Sequence, residues 1–143
     1  MSFNKILAAY DASSFSDRAF RKAIDIAKPK SNLTVLTVIT GIYQPSMGFS
    51  MKLNKDLLSK QKKELEKIFS KLEVAAKKKE VKLSLKIIQD KSVSNAIVKH
   101  ANSRKYDLVI IGSHGRTGLN KLILGSVANS VAQQVKCAVM VVK

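Results

Sequence analysis

Four short apolar runs are spaced along the chain, separated by longer stretches in which apolar and polar residues mix. The runs cover residues 6–10, 33–39, 106–111 and 138–142. Their length and their content of β-branched residues are typical of β-strands. They therefore predict four strands distributed from one end of the chain to the other.

A fifth strand is predicted from a different pattern. From Val81 to Ile87 every second residue is apolar, and the residues between them are Lys82, Ser84 and Lys86. A period of two turns one face of a strand toward the core and the other toward water. This strand is therefore expected at an edge of the sheet.

Helices are predicted between the strands because apolar residues recur there with the spacing of one helix face. The predicted helices cover residues 13–27, 52–80, 92–101 and 126–135. Ser13 and Ser92 supply capping side chains at two starts, and Ser126 can do so at a third. Residues 41–50 hold glycine and proline and predict a loop. His100 lies in a polar helical stretch and is assigned to the surface.

Strands and helices alternate as β-α-β-α-β-α-β-α-β. This order predicts an α/β fold, one open five-stranded parallel sheet with helices on both faces. At 143 residues, the chain has the length of one domain, residues 1–143. In such sheets, ligands bind beyond the carboxyl ends of the strands where the strand order reverses.

The fourth predicted strand runs into Gly112-Ser113-His114-Gly115, and Gly125-Ser126 opens the next helix. Glycine lets the backbone approach a ligand closely, and the N–H groups at a helix start favour an anion. These features together predict a phosphate site. Neither the P-loop motif nor the dinucleotide fingerprint is present, so the alternative is a plain strand-to-helix connection.

The string from Gly112 to Ala128 resembles the G-x2-G-x9-G-[ST] signature of universal stress proteins, and more narrowly that of the subgroup that binds ATP. The resemblance extends over nearly the whole chain. It implies the Rossmann-like strand order 3-2-1-4-5, which periodicity cannot show. In that order the first and fourth strands are neighbours. Asp11 and Gly112 would then face each other across one crevice.

The same resemblance implies roles for individual residues. Asp11 would accept hydrogen bonds from ribose hydroxyls, the alternative being a helix cap. Ala9 and Val38 would border adenine, the alternative being plain core. The candidate nucleotide-binding residues are Ala9, Asp11, Val38, Gly112, Ser113, His114, Gly115, Arg116, Gly125, Ser126 and Val127. ATP is the expected ligand, with AMP and ADP as alternatives, and Mg²⁺ or Mn²⁺ would accompany the phosphates.

No catalytic residue is assigned. His114 has neither a carboxylate partner nor a nucleophile near it in sequence, so a base that activates water is not identified. The resemblance implies an ATP-binding regulatory switch with at most slow hydrolysis and a regulatory protein partner. It also implies a homodimer formed through strand 138–142, the alternative being a monomer whose edge is kept apart by Lys136 and Lys143.

Charge supplies a competing hypothesis. The chain has 26 Lys and Arg against 10 Asp and Glu, a net charge of +16, which attracts polyanions. Helix 52–80 is lysine-rich and is the candidate nucleic-acid surface. Aromatic residues make up 6% and form no stacking motif, so nucleic acid ranks behind the nucleotide. A nucleotide-processing enzyme of the related α/β group is the remaining alternative, although Asp11-Ala12-Ser13-Ser14 lacks a pyrophosphatase-type glycine loop.

Three further features complete the picture. No apolar stretch has the length of a membrane span, and no secretory leader precedes the first strand, so a cytoplasmic location without membrane partners is expected. Cys137 is the one cysteine and has no partner for an intrachain disulfide. The chain departs from the family at Asp90-Lys91-Ser92, where a Gly-x-Pro turn is frequent, and at Ala138, where proline is common.

Overall fold

The computed structural model describes residues 2–40, 50–115 and 124–143, and for residues 50–58 it describes the backbone only. Within these ranges five strands alternate with four helices. The strands are β1 (Lys5–Ala9), β2 (Asn32–Ile39), β3 (Lys82–Gln89), β4 (Leu108–Gly112) and β5 (Ala138–Val142). The helices are α1 (Ser14–Ile26), α2 (Ser50–Lys78), α3 (Val93–Ser103) and α4 (Ser126–Gln134).

All five strands are parallel and lie in the order β3-β2-β1-β4-β5. The predicted architecture is confirmed, including the edge position of β3. The chain adds β2 and β3 on one side of β1 and then returns to place β4 on its other side. Ile6 pairs with Leu108 and Ala8 with Ile110 in that central pair. The strand order therefore reverses between β1 and β4, and sheets of this kind form a crevice at the carboxyl ends of the strands at that point.

The strands divide the core into two layers, as their alternating side chains require. Ile6 and Ala8 of β1 pack with α1 and α2 on one face of the sheet. Leu7 and Ala9 pack with α3 and α4 on the other. Because β1 is buried on both faces, its sequence is uniformly apolar, whereas β3 at the edge alternates.

Some element ends differ from the predictions by a few residues. Helix α2 begins at Ser50, which was expected in a loop, and ends at Lys78 because Glu80 has a positive φ of 57°. The N–H of Val81 then donates to the carbonyl of Ala76, so β3 starts one residue later than predicted. The rest of the predicted loop, residues 41–49, lies outside the described residues.

The start of α4 corrects the prediction for Ser126. The N-cap is Gly125, and Ser126 is the first helical residue. Ser13 and Ser92 do cap their helices, accepting hydrogen bonds from the N–H groups of Ser16 and Asn95. None of the described helices is both long enough and apolar enough to cross a bilayer.

Candidate functional site

Asp11 stands just beyond the carboxyl end of β1, facing the segment that leaves β4. Its Oδ1 accepts a hydrogen bond from the N–H of Ser13 at 3.0 Å, and its own N–H donates to Ser16 Oγ at 3.3 Å. Ala12 between them has a positive φ of 64°, so the chain turns sharply there. The cap of α1 is Ser13 itself, and Asp11 positions that cap while keeping its second oxygen on the crevice side.

That second oxygen, Oδ2, lies against Gly115. A Cβ placed on Gly115 would stand 3.0 Å from Asp11 Oδ2. Gly115 is exposed and half-buried Asp11 approaches it from the neighbouring strand end. The structure thus brings together the Asp11 carboxylate and the segment Gly112-Ser113-His114-Gly115, which we call the glycine segment. The two were predicted to share one crevice.

Two backbone hydrogen bonds of Ser113 fix the glycine segment, one to β5 and one to the start of α4. The N–H of Ser113 donates to the carbonyl of Val142 at 2.7 Å, and the N–H of Gly125 donates to the carbonyl of Ser113 at 2.8 Å. A Cβ on Gly125 would lie 2.9 Å from that same carbonyl oxygen. Glycine at 125 therefore allows the start of α4 to lie directly beside Ser113.

The first turn of α4 faces this segment. N–H groups in the first turn of a helix have no acceptor within the helix and carry its positive dipole end. Ser126 is exposed and Val127 half-buried, and the cap Gly125 contributes no side chain. The helix start is therefore chemically suited to an anion.

Gly112 has a different explanation from the other two glycines. It is the last residue of β4, and a Cβ there would lie 2.8 Å from Phe15 Cβ and 2.9 Å from the Phe15 carbonyl carbon. Gly112 thus lets α1 pack against β4. A ligand contact by Gly112 stays a prediction.

His114 is packed within the protein. Its Nδ1 lies 3.0 Å from Ser113 Oγ, and its ring centroid is 5.2 Å from that of Phe15. The guanidinium carbon of Arg18 lies 4.7 Å from the centroid of the same Phe15 ring. Phe15 is a site-forming residue that the sequence analysis missed, because an aromatic in a first helical turn gives no signal of its own.

The remaining candidates are dispersed. Ala9 is 8% exposed and packs in the core cluster of α3 and α4, and Val38 is half-buried against that cluster. Arg116 lies outside the described residues. The described ranges hold no group of three His, Cys, Asp or Glu side chains that could bind a metal ion.

The family model for the universal stress protein family matches residues 2–143. Universal stress protein MJ0531 of Methanocaldococcus jannaschii is 32% identical over 99% of this chain and 82% of its own length. Universal stress protein YxiE of Bacillus subtilis is 30% identical over 99% of both chains.

Solved structures share the fold. That of hypothetical protein MJ0577 of Methanocaldococcus jannaschii superposes with a TM-score of 0.86 at 25% identity, over 100% of this chain and 97% of that one. A universal stress protein in complex with cAMP has a TM-score of 0.68 at 22% identity, over 99% and 98%. The Archaeoglobus fulgidus universal stress protein in complex with dAMP has 0.67 at 18%, over 100% of both. The full-length family match and the similarity to named relatives agree, and the chain belongs to the universal stress protein family.

Proposed function

We propose that this protein binds ATP in the crevice between β1 and β4 and acts in the cytoplasm as a nucleotide-dependent regulatory switch. The observation that carries the proposal is the approach of the Asp11 carboxylate to Gly115 across that crevice. A hydrogen-bond acceptor on one wall and a bare backbone on the other suit the two polar parts of a nucleotide, its ribose and its phosphates.

In the proposed complex, Asp11 Oδ2, which lies toward Gly115, accepts hydrogen bonds from the ribose hydroxyls. The N–H groups of Gly115, Ser126 and Val127 donate to the phosphates. Mg²⁺ or Mn²⁺ neutralises the phosphate charge and draws its ligands from phosphate oxygens and water.

Adenine is proposed to lie over the carboxyl ends of β1 and β2, against Ala9 and Val38. The structures of the same fold that were solved with cAMP and with dAMP support an adenine nucleotide as the ligand class. Those ligands belong to those proteins, and for this chain the preference for adenine is part of the proposal.

Hydrolysis is proposed to be slow at most. A general base must be free to take a proton from water near the terminal phosphate. His114 is held by Ser113 Oγ and by Phe15, and Oδ1 of Asp11 is held by the Ser13 N–H. Both groups serve the architecture of the crevice, which fits binding better than turnover.

The switch is proposed to act through β5, which forms one edge of the sheet. The hydrogen bond from the Ser113 N–H to the Val142 carbonyl links the glycine segment to the last residue of that strand. Val139, Met140 and Val141 are only half-buried there. An unpaired, apolar edge suits pairing with a second copy into a homodimer, whose state a regulatory protein would recognise.

The proposal is tested by the nucleotide content of freshly purified protein. Heat-released ligand would be separated by chromatography and identified by mass. ATP, ADP or AMP in a near-stoichiometric amount is expected. A guanine nucleotide in that fraction would overturn the preference for adenine.

A further inference from the structure

A second charged surface lies on β3, away from the crevice. On the side of the sheet covered by α3 and α4, β3 presents Lys82, Ser84 and Lys86, all exposed. These residues are in register with Asn32, Thr34 and Leu36 of β2. Leu36 is buried with residues of α3, so the helix covers β2 at that level and leaves the polar side chains of β3 in water.

Two more cations, Lys5 and Arg104, reach this surface from outside β3. Lys5 Nζ lies 4.8 Å from the Tyr106 ring centroid and donates to the carbonyl of Arg104. The Tyr106 hydroxyl donates to Thr34 Oγ1 at 3.0 Å and is 3.3 Å from His100 Nε2. His100 is therefore half-buried against Tyr106, which corrects its assignment as a plain surface residue.

The pKa of His100 reflects the positive charges that lie around it. Burial lowers the pKa of His100, and the positive charges of Lys86, Arg104 and Lys5 lower it further. These three residues come from β3, from the end of α3 and from the start of β1. We call Lys5, Lys82, Lys86 and Arg104 the basic face.

Carboxylates are absent from the two elements that build this surface. Neither β3 nor α3 contains an Asp or Glu in its sequence. Asp107, next to Tyr106, accepts hydrogen bonds from the backbone N–H groups of Asn4 and Lys5. The lysine-rich helix α2, by contrast, intersperses Glu64, Glu66 and Glu73 among its lysines. The positive charge is thus less compensated on the basic face than on α2.

We propose that the basic face binds duplex nucleic acid through its phosphate backbone. Lysine and arginine side chains that each neutralise a phosphate give binding that ignores sequence and depends on salt. β2, β3 and α3 contain no Phe, Tyr or Trp, and Tyr106 is only 8% exposed. A stacking platform for a single strand is therefore missing from this surface, which favours the duplex.

The composition of the face argues against a membrane surface. The large apolar side chains exposed in the described ranges are Val74 and Leu124, on α2 and before α4. Interfacial binding needs such side chains beside the cations. The face also lies near the amino ends of β1 and β3, so a duplex and a nucleotide in the crevice can be bound together.

The test measures binding of a labelled duplex of about 20 base pairs by anisotropy over a salt series, with MgATP saturating the crevice. The Lys82→Gln/Lys86→Gln variant is compared with Lys63→Gln/Lys67→Gln, which removes the same charge from exposed positions of α2. The β3 variant is expected to bind about tenfold more weakly, with a salt slope lower by about two. The α2 variant should stay within about twofold of the unmodified protein. Equal losses in both variants, or a larger loss in the α2 variant, would overturn the proposal.

The two histidines of the chain report where each ligand binds, without any substitution in the basic face. Imidazole NMR signals, assigned with His100→Gln, should show that the duplex moves His100 and that MgATP moves His114. A duplex that moves only His114 would contradict the assignment of the surface. Phosphatidylserine vesicles that move His100 and displace the duplex would assign the face to a membrane and overturn it too.

Discussion

Asp11 and Gly115, 104 positions apart in the chain, meet across the crevice between β1 and β4. Asp11 Oδ2 lies 3.0 Å from the position that a Cβ on Gly115 would occupy. A Cβ at residue 115 would therefore require the carboxylate to shift by a few tenths of an ångström. Since Oδ1 is fixed by the Ser13 N–H, the side chain has little freedom to turn away. A change at Gly115 consequently acts on both walls of the proposed nucleotide site.

Gly115→Val is expected to weaken ATP binding by at least about tenfold, because it displaces Asp11 and covers the backbone N–H. Gly115 is exposed, so thermal unfolding should be nearly unchanged. Calorimetric titration with MgATP and a melting curve would be measured on the same samples. ATP affinity that survives in a folded Gly115→Val protein would show that the phosphates bind elsewhere.

Asp11→Asn should abolish recognition of the ribose hydroxyls while retaining the turn, because an amide oxygen can still accept from the Ser13 N–H. The unmodified protein is expected to prefer ATP over 2′,3′-dideoxy-ATP by about tenfold, the contribution of a hydrogen bond to a charged group. The variant should bind both nucleotides with similar affinity.

A matched control exists at the end of β3, where Asp90 Oδ1 accepts from the Ser92 N–H at 2.9 Å. Asp90→Asn makes the same chemical change in the same kind of turn and should leave the preference for ATP intact. A loss of discrimination in both variants would point to an indirect effect on the fold.

Gly112→Ala should act on stability. The added methyl would lie within 3.0 Å of the Cβ, carbonyl carbon and carbonyl oxygen of Phe15, so α1 must shift away from β4. Overpacking of this kind costs about 1–3 kcal/mol in the free energy of unfolding. Urea denaturation would measure the loss. A variant as stable as the unmodified protein would mean that the contact between α1 and β4 relaxes freely.

The pKa of His100 is expected to rise toward its ordinary value of 6.5 in Lys86→Gln, because one of the positive charges that face it is removed. Burial and the charges of Arg104 and Lys5 remain, so the rise is partial. An NMR titration of the imidazole measures it. A pKa that is unchanged or lower in Lys86→Gln would contradict the placement of Lys86 near His100.

The same group affects stability with a defined sign. Because its pKa is lowered in the folded protein, the unfolded chain binds the proton more readily just below pH 6.5. The contribution of His100 to stability is therefore complete above that pH and is lost as the pH falls below it. Lys86→Gln should reduce this acid-side loss.

The sequence predicted the parallel sheet well because each strand has its own hydrophobic pattern. The uniform run of β1 and the alternation of β3 distinguish a central strand from an edge strand. The neighbours of each strand could not be predicted in this way, because periodicity carries no information on which strands pair. The order that joins β1 to β4 came from the family resemblance.

A candidate site could be proposed from the sequence where one short segment carries the signal, as in Gly112-Ser113-His114-Gly115. It was not predictable where the reason is a distant contact. Gly112 is glycine because of Phe15, and Gly125 is glycine because a Cβ there would lie 2.9 Å from the Ser113 carbonyl oxygen. His100 was misplaced for the same reason, since its partner Tyr106 lies outside α3 and is held in turn by Thr34 of β2.

The proposed function depends first on the binding of ATP in the crevice between β1 and β4. Its most direct test is calorimetric titration of MgATP into protein from which bound nucleotide has been stripped. We expect saturable binding of one nucleotide per chain, with GTP binding much more weakly. If stripped, folded protein shows no saturable ATP binding, and the freshly purified protein held no nucleotide, the proposed function is contradicted.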